Sequence, residues 1–142
     1  MSFLLDTNVL SEAGKPRPDA GVMDWLASVD EEQLFLSVVS LAELRHGVER
    51  LDQGRRKAAL DLWLTDQLPA RFDGRLLPID EITADRWGHV VAKAQAIGRP
   101  IGAMDAFLAA TADQHQFTLV TRNLSDFESC GIRLFNPWSE ER

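Results

Sequence analysis

A single cysteine, Cys130, stands among 142 residues, so no internal disulfide is available. That fits a reducing cytoplasm, with Cys130 a small hydrophobe carrying no chemistry. No apolar run approaches the roughly 18–20 residues that a membrane span needs. The opening Met1-Ser2-Phe3-Leu4-Leu5-Asp6 lacks a basic stretch and meets an acid too early for a signal peptide. No glycine-rich phosphate loop of the Walker type is present, and no Ser/His/Asp order can be defended. His46, His89 and His115 fall on separate helical segments without ligand spacing, which argues against zinc. Positive charge is also short: the net charge is −7. Phosphate contacts want Lys and Arg, so this balance weighs against a nucleic-acid partner. Its distribution softens the objection, because residues 45–75 hold seven basic and five acidic side chains, a local +2 against −9 elsewhere.

What remains is an ordinary globular composition, 45% hydrophobic and 26% charged, over a length that suits one domain spanning residues 1–142. Strands are expected over residues 2–6, 34–39, 75–79, 118–121 and 132–135. Helices are expected over 7–13, 19–29, from Ser40 onward, from Gln53-Gly54 to about Gln67, and over 81–97 and 103–115. Helices and strands alternate, which predicts an α/β fold with a mainly parallel sheet covered on both faces. The tryptophans at 25, 63, 87 and 138 share helical spacing with other apolar residues and read as core or interface.

Against this background four acids stand out, each beside an apolar run: Asp6, Glu43, Asp105 and Asp126. In a parallel α/β sheet the strand ends converge on one edge, where ligands bind. Each acid also has a structural reading. Asp6 is placed to cap a helix. Ser40-Leu41-Ala42-Glu43 and Ser125-Asp126-Phe127-Glu128 both match the capping box. Asp105 resists such a reading, because its helix is apolar nearly all round and it shares a face with Leu108, Ala109 and Ala112. If the four converge, each like-charge pair at ~4 Å costs on the order of 4 kcal/mol at an effective dielectric of 20. Such a cluster persists only by holding protons or by binding hard cations. Oxygen donors without Cys or His suit Mg²⁺ or Mn²⁺. An aspartyl-phosphate phosphatase of the haloacid dehalogenase type wants a second Asp two positions after the first, where this chain has Asn8.

Leu5-Asp6-Thr7-Asn8-Val9-Leu10, Ser40-Leu41-Ala42-Glu43-Leu44, Asp105-Ala106 within residues 101–112, and Thr121-Arg122-Asn123-Leu124-Ser125-Asp126-Phe127 together resemble PIN domains. The likeness is greatest to the bacterial VapC-type, FitB-like toxins of toxin–antitoxin pairs. It implies a three-layer α/β/α domain around a sheet of four to five strands, and a metal-dependent endoribonuclease that cleaves RNA by metal-activated water. It further implies a cytoplasmic homodimer, silenced by a small antitoxin in a heterotetramer or larger assembly. By position, Asp6 and Asp105 would be the main Mg²⁺ ligands, Glu43 would complete the first site, and Asp126 would help hold a second ion or its waters. Asn123 competes with Asp126 for that fourth place. Thr7, Asn8 and Thr121 would orient the ligands or touch the scissile phosphate. Arg45, His46, Arg50, Arg55-Arg56-Lys57 and Arg122 are candidates for a positive path for RNA, although residues 55–57 also read as a solvated helix start. Two other functions stay open on the residues alone: a non-catalytic metal- or RNA-binding regulator, and a metal-dependent DNA nuclease or phosphatase.

Overall fold

A computed structural model describes residues 1–139. Five short strands run β1 (Phe3–Leu5), β2 (Leu34–Ser37), β3 (Leu76–Leu77), β4 (Thr118–Val120) and β5 (Leu134–Phe135). All pair in parallel in the order β3-β2-β1-β4-β5. Parallel neighbours need crossovers, which the helices supply. These are α1 (Thr7–Ala13), α2 (Ala20–Ser28), α3 (Val38–Glu49), α4 (Arg55–Leu62), α5 (Leu68–Arg71), α6 (Glu81–Ala96), α7 (Ala103–His115) and α8 (Leu124–Phe127).

Alternation along the strands splits the core into two layers. Leu5, Leu34, Leu36 and Val120 face one side, under Val9 and Leu10 of α1, Val22 of α2, Leu68 of α5, Phe72 and Trp138. Leu4 and Leu119 face the other, under Leu108, Ala109 and Ala112 of α7 and Phe127 of α8. Three of the four tryptophans bear out a packing role directly. Trp138 is buried, Trp25 meets Phe3 edge-on at 5.1 Å, and Trp87 stacks on Phe107 at 5.4 Å. No helix among the described residues is long and apolar enough to cross a membrane.

The sheet is α/β and parallel as expected, and α1 and α7 have the expected limits. Several expectations need correction, among them the strand expected over 75–79, which covers only Leu76–Leu77. Val38 and Val39 belong to α3, not to the preceding strand, because the Ser37 hydroxyl accepts the Val39 N–H at 3.0 Å and ends β2. The helix after Gly54 does not stop at Gln67: it passes through a π-turn at Trp63–Gln67 and continues as α5. The last strand covers only Leu134–Phe135.

The order of strands fixes where a ligand can sit. β1 and β4 are adjacent but their chains leave in opposite directions across the sheet, so a crevice opens at their carboxyl ends. Asp6 follows β1 there, and Thr121 follows β4.

Candidate functional site

Register brings the first pair together. Leu5 lies opposite Val120, and the Asp6 N–H donates to the Val120 carbonyl at 2.9 Å, so Asp6 and Thr121 emerge side by side. Asp6 is 7% exposed. It does cap α1, as its position suggests: Oδ1 accepts the Thr7 N–H at 2.7 Å. Its other oxygen, Oδ2, accepts the Thr121 hydroxyl at 2.8 Å. The structural and functional readings of Asp6 are therefore compatible, since capping occupies only one lone pair of one oxygen.

The capping-box readings of Glu43 and Asp126 both fail. α3 starts at Val38 under a Ser37 cap, so Ser40 is inside the helix and Glu43 lies well past its first turn. Glu43 instead points toward α1, where its Oε1 accepts the Thr7 hydroxyl at 3.3 Å. α8 starts at Leu124, which puts Ser125 inside that helix as well, and no side chain caps it. Freed from capping, both acids face the field of the others. Asp105 sits in the first turn of α7, half-buried beside the buried Ala106, Leu108 and Ala109.

Electrostatics tie the four together. Burial pushes the Asp105 carboxyl up from 3.8 to about 6, helped by the negative charges of Asp6, Asp126 and Glu43. Burial raises Glu43 as well, and the Asp6 charge adds to it. Asp6 is raised by burial, with Asp126 adding to the shift, although the Thr121 and Thr7 bonds oppose it. Among the described residues, no cation figures in these three shifts. Repulsive carboxylates in a desolvated crevice are a strained arrangement that a divalent ion relieves.

The donor set fits a hard cation: it offers carboxylate and hydroxyl oxygens, without a thiolate or imidazole among them. No three acidic, His or Cys side chains among the described residues are close enough to chelate an ion as they stand. The acids share a field, and side-chain rotation would have to complete a coordination shell.

Asp126, not Asn123, supplies the charge felt by Asp6 and Asp105. Asn123 enters through its backbone, donating its N–H to the Thr121 hydroxyl at 3.0 Å. Asn8 donates from Nδ2 to the same hydroxyl at 3.4 Å. Arg45 is turned away from this group: it bonds Asp61 at 2.6 Å and Thr65 at 3.1 Å, tying α3 to the helix after it. Arg122 lies with its guanidinium 5.5 Å from the centre of the Trp138 ring. Sequence reasoning missed the Ser37 cap and the central place of the Thr121 hydroxyl. The first signal was present in Ser37-Val38-Val39 but was masked by β-branched residues that favour a strand.

Residues 3–129 match the PIN domain family model. The chain is 40% identical over 138 residues to the toxin FitB of Neisseria gonorrhoeae, covering 97% of this chain and 99% of that protein. It is 37% identical over 136 residues to the VapC ribonuclease Y4jK of Sinorhizobium fredii, covering 96% and 97%. Among solved structures, FitAB bound to an IR36 DNA fragment superposes with a TM-score of 0.91 at 39% identity, over 96% of this chain and 95% of the other.

Proposed function

The chain belongs to the PIN domain family, and from that premise we propose that it is a VapC-type endoribonuclease, the toxin of a toxin–antitoxin pair, using Mg²⁺ or Mn²⁺. The observation that carries this reading is the shared field of Asp6, Glu43, Asp105 and Asp126 at the carboxyl ends of β1 and β4. A pure binding module gains nothing from concentrating repulsion in a crevice, whereas a site for hard cations needs it.

Asp6, Asp105 and Glu43 would hold the ion, with Asp126 placed to hold a second one or its waters. When bound, a divalent ion supplies charge neutralisation at the phosphate and acidifies water. The chain's own residues do the rest. Thr7 links two of the acids, giving its N–H to Asp6 and its hydroxyl to Glu43. Asp105 must lose its proton before it can serve, so occupancy depends on pH below about 6. Arg122, whose guanidinium lies over the Trp138 ring, stays a candidate for a phosphate contact.

Partners follow from the same reading. A small antitoxin would cover the acidic crevice, and the chain would pair as a homodimer. The antitoxin is in keeping with relatives whose solved structures are of FitAB, of VapBC and of a toxin-antitoxin complex.

The test is direct. Purified protein is incubated with Mg²⁺ or Mn²⁺ and single-stranded RNA, with Asp6→Ala as the control. Metal-dependent cleavage by the wild type and none by Asp6→Ala is expected. Cleavage that persists in Asp6→Ala would overturn the site, and cleavage of DNA but not RNA would overturn the substrate.

A further inference from the structure

The Thr121 hydroxyl is the most heavily used polar atom in the crevice. It donates to Asp6 Oδ2 at 2.8 Å, and it accepts from the Asn123 N–H at 3.0 Å and from Asn8 Nδ2 at 3.4 Å. A hydroxyl has one proton to give and two lone pairs to receive with, so these partners exhaust it. Thr121 is also fully buried. It has neither a proton nor an open face to offer a phosphate.

Its partners come from separate parts of the chain. Asp6 ends β1, Asn8 lies on α1, and Asn123 begins the turn whose carbonyl accepts the Asp126 N–H at 3.2 Å. One side-chain oxygen thus joins the acid after β1 to the segment bearing the acid after β4. With Thr7 on the other oxygen, the Asp6 carboxylate is gripped at both ends and cannot turn freely. Each of its oxygens keeps a remaining lone pair for a ligand.

We propose that Thr121 is a positioning residue, which fixes the Asp6 carboxylate for metal binding and couples it to the Asp126 segment without touching RNA. The inference rests on the metal-dependent reading above and assigns one role where the sequence left two, orienting a ligand or contacting the scissile phosphate.

The experiment compares wild type, Thr121→Val and Thr121→Ser by calorimetric titration with Mn²⁺ in the absence of RNA, and then by steady-state cleavage. Thr121→Val keeps the shape and loses the hydroxyl, while Thr121→Ser keeps the hydroxyl. Loss of such an outer partner should weaken Mn²⁺ binding by roughly 10–100-fold in Thr121→Val, with Thr121→Ser within about threefold of wild type. At saturating Mn²⁺ the KM for RNA should be unchanged in all three. Equal Mn²⁺ affinity in Thr121→Val and wild type overturns the proposal, as does a raised KM with Mn²⁺ affinity intact, the mark of a substrate contact. Should circular dichroism show Thr121→Val unfolded, Thr121→Ala and Thr121→Ser replace it, since both lack the methyl and differ only in the hydroxyl. Weaker Mn²⁺ binding in Thr121→Ala supports the proposal and equal binding sinks it. A wild type that binds no Mn²⁺ and cleaves nothing removes both this inference and the nuclease reading. A wild type that binds while Thr121→Val matches it removes the inference alone.

Discussion

Replacing Asp105 with Asn should stabilise the metal-free protein at neutral pH while abolishing its activity. Asp105 lies in the first turn of α7, where the helix dipole helps a negative charge by only about 0.3–1 kcal/mol. Burial, then the charges of Asp6, Asp126 and Glu43, raise its carboxyl from 3.8 to about 6. A displacement of that size is worth about 3 kcal/mol. Partial exposure and salt screening leave about 1–2 kcal/mol of it. Because the folded value lies above the unfolded one, the native chain holds more protons than the unfolded chain between these two values. Stability therefore falls as pH rises through that window, and the penalty is absent below about pH 4 and complete by about pH 7. Asn carries no charge and escapes the penalty. Thermal unfolding in EDTA at about pH 8 should show Asp105→Asn melting higher by about 3–6 °C, with the gap closing toward about pH 4. Adding Mg²⁺ should favour the wild type instead, because only it retains the full ligand set. A lower metal-free melting temperature for Asp105→Asn near pH 8, or a gap that ignores pH, would refute the repulsion argument.

Other consequences can be measured alongside it. Asp6→Ala and Glu43→Gln should each slow Mg²⁺-dependent RNA cleavage by more than about 100-fold, followed with a fluorogenic RNA, and a change of less than twofold would remove the residue from the site. Mg²⁺ at about 100 times its Kd should stabilise the wild type by about 2.7 kcal/mol in urea titrations, and Asp6→Ala should lose that gain. Arg45→Ala should lower thermal stability by loosening the contacts with Asp61 and Thr65 but leave the KM for RNA unchanged, whereas a several-fold rise in KM would return Arg45 to the substrate path. Phe72→Ala, at a fully buried position in the layer under α5, should cost about 3–5 kcal/mol of unfolding free energy by chemical denaturation.

The fold was largely readable because its signals were periodic and long. α7 shows why: thirteen residues between a loop and a short strand leave few alternatives, and its predicted limits match. Val38-Val39 misled for a physical reason. Local β-preference favoured extending the strand, but one hydroxyl at Ser37 captured the Val39 N–H and started the helix earlier. That shift of a few residues matters to chemistry, since it takes Glu43 out of the capping box and turns it toward Thr7. The acids themselves could be picked out by their places beside apolar runs, and Asp105 most clearly, as a charge on an apolar stripe. What one chain of letters could not show was the second layer of bonds. Nothing in the spacing of Asp6, Asn8, Thr121 and Asn123 reveals that one oxygen joins them, because that depends on the parallel register of β1 against β4. The bonds of Arg45 were hidden on similar grounds: its partners, Asp61 and Thr65, come from a helix whose packing the sequence did not specify.

Crystals grown with Mn²⁺ and measured at its absorption edge would show whether these acids gather around an ion. An anomalous peak is expected between oxygens of Asp6, Asp105 and Glu43, at about 2.0–2.3 Å from each. Bound Mn²⁺ elsewhere on the molecule, with those three side chains pointing apart and no peak between them, would contradict it.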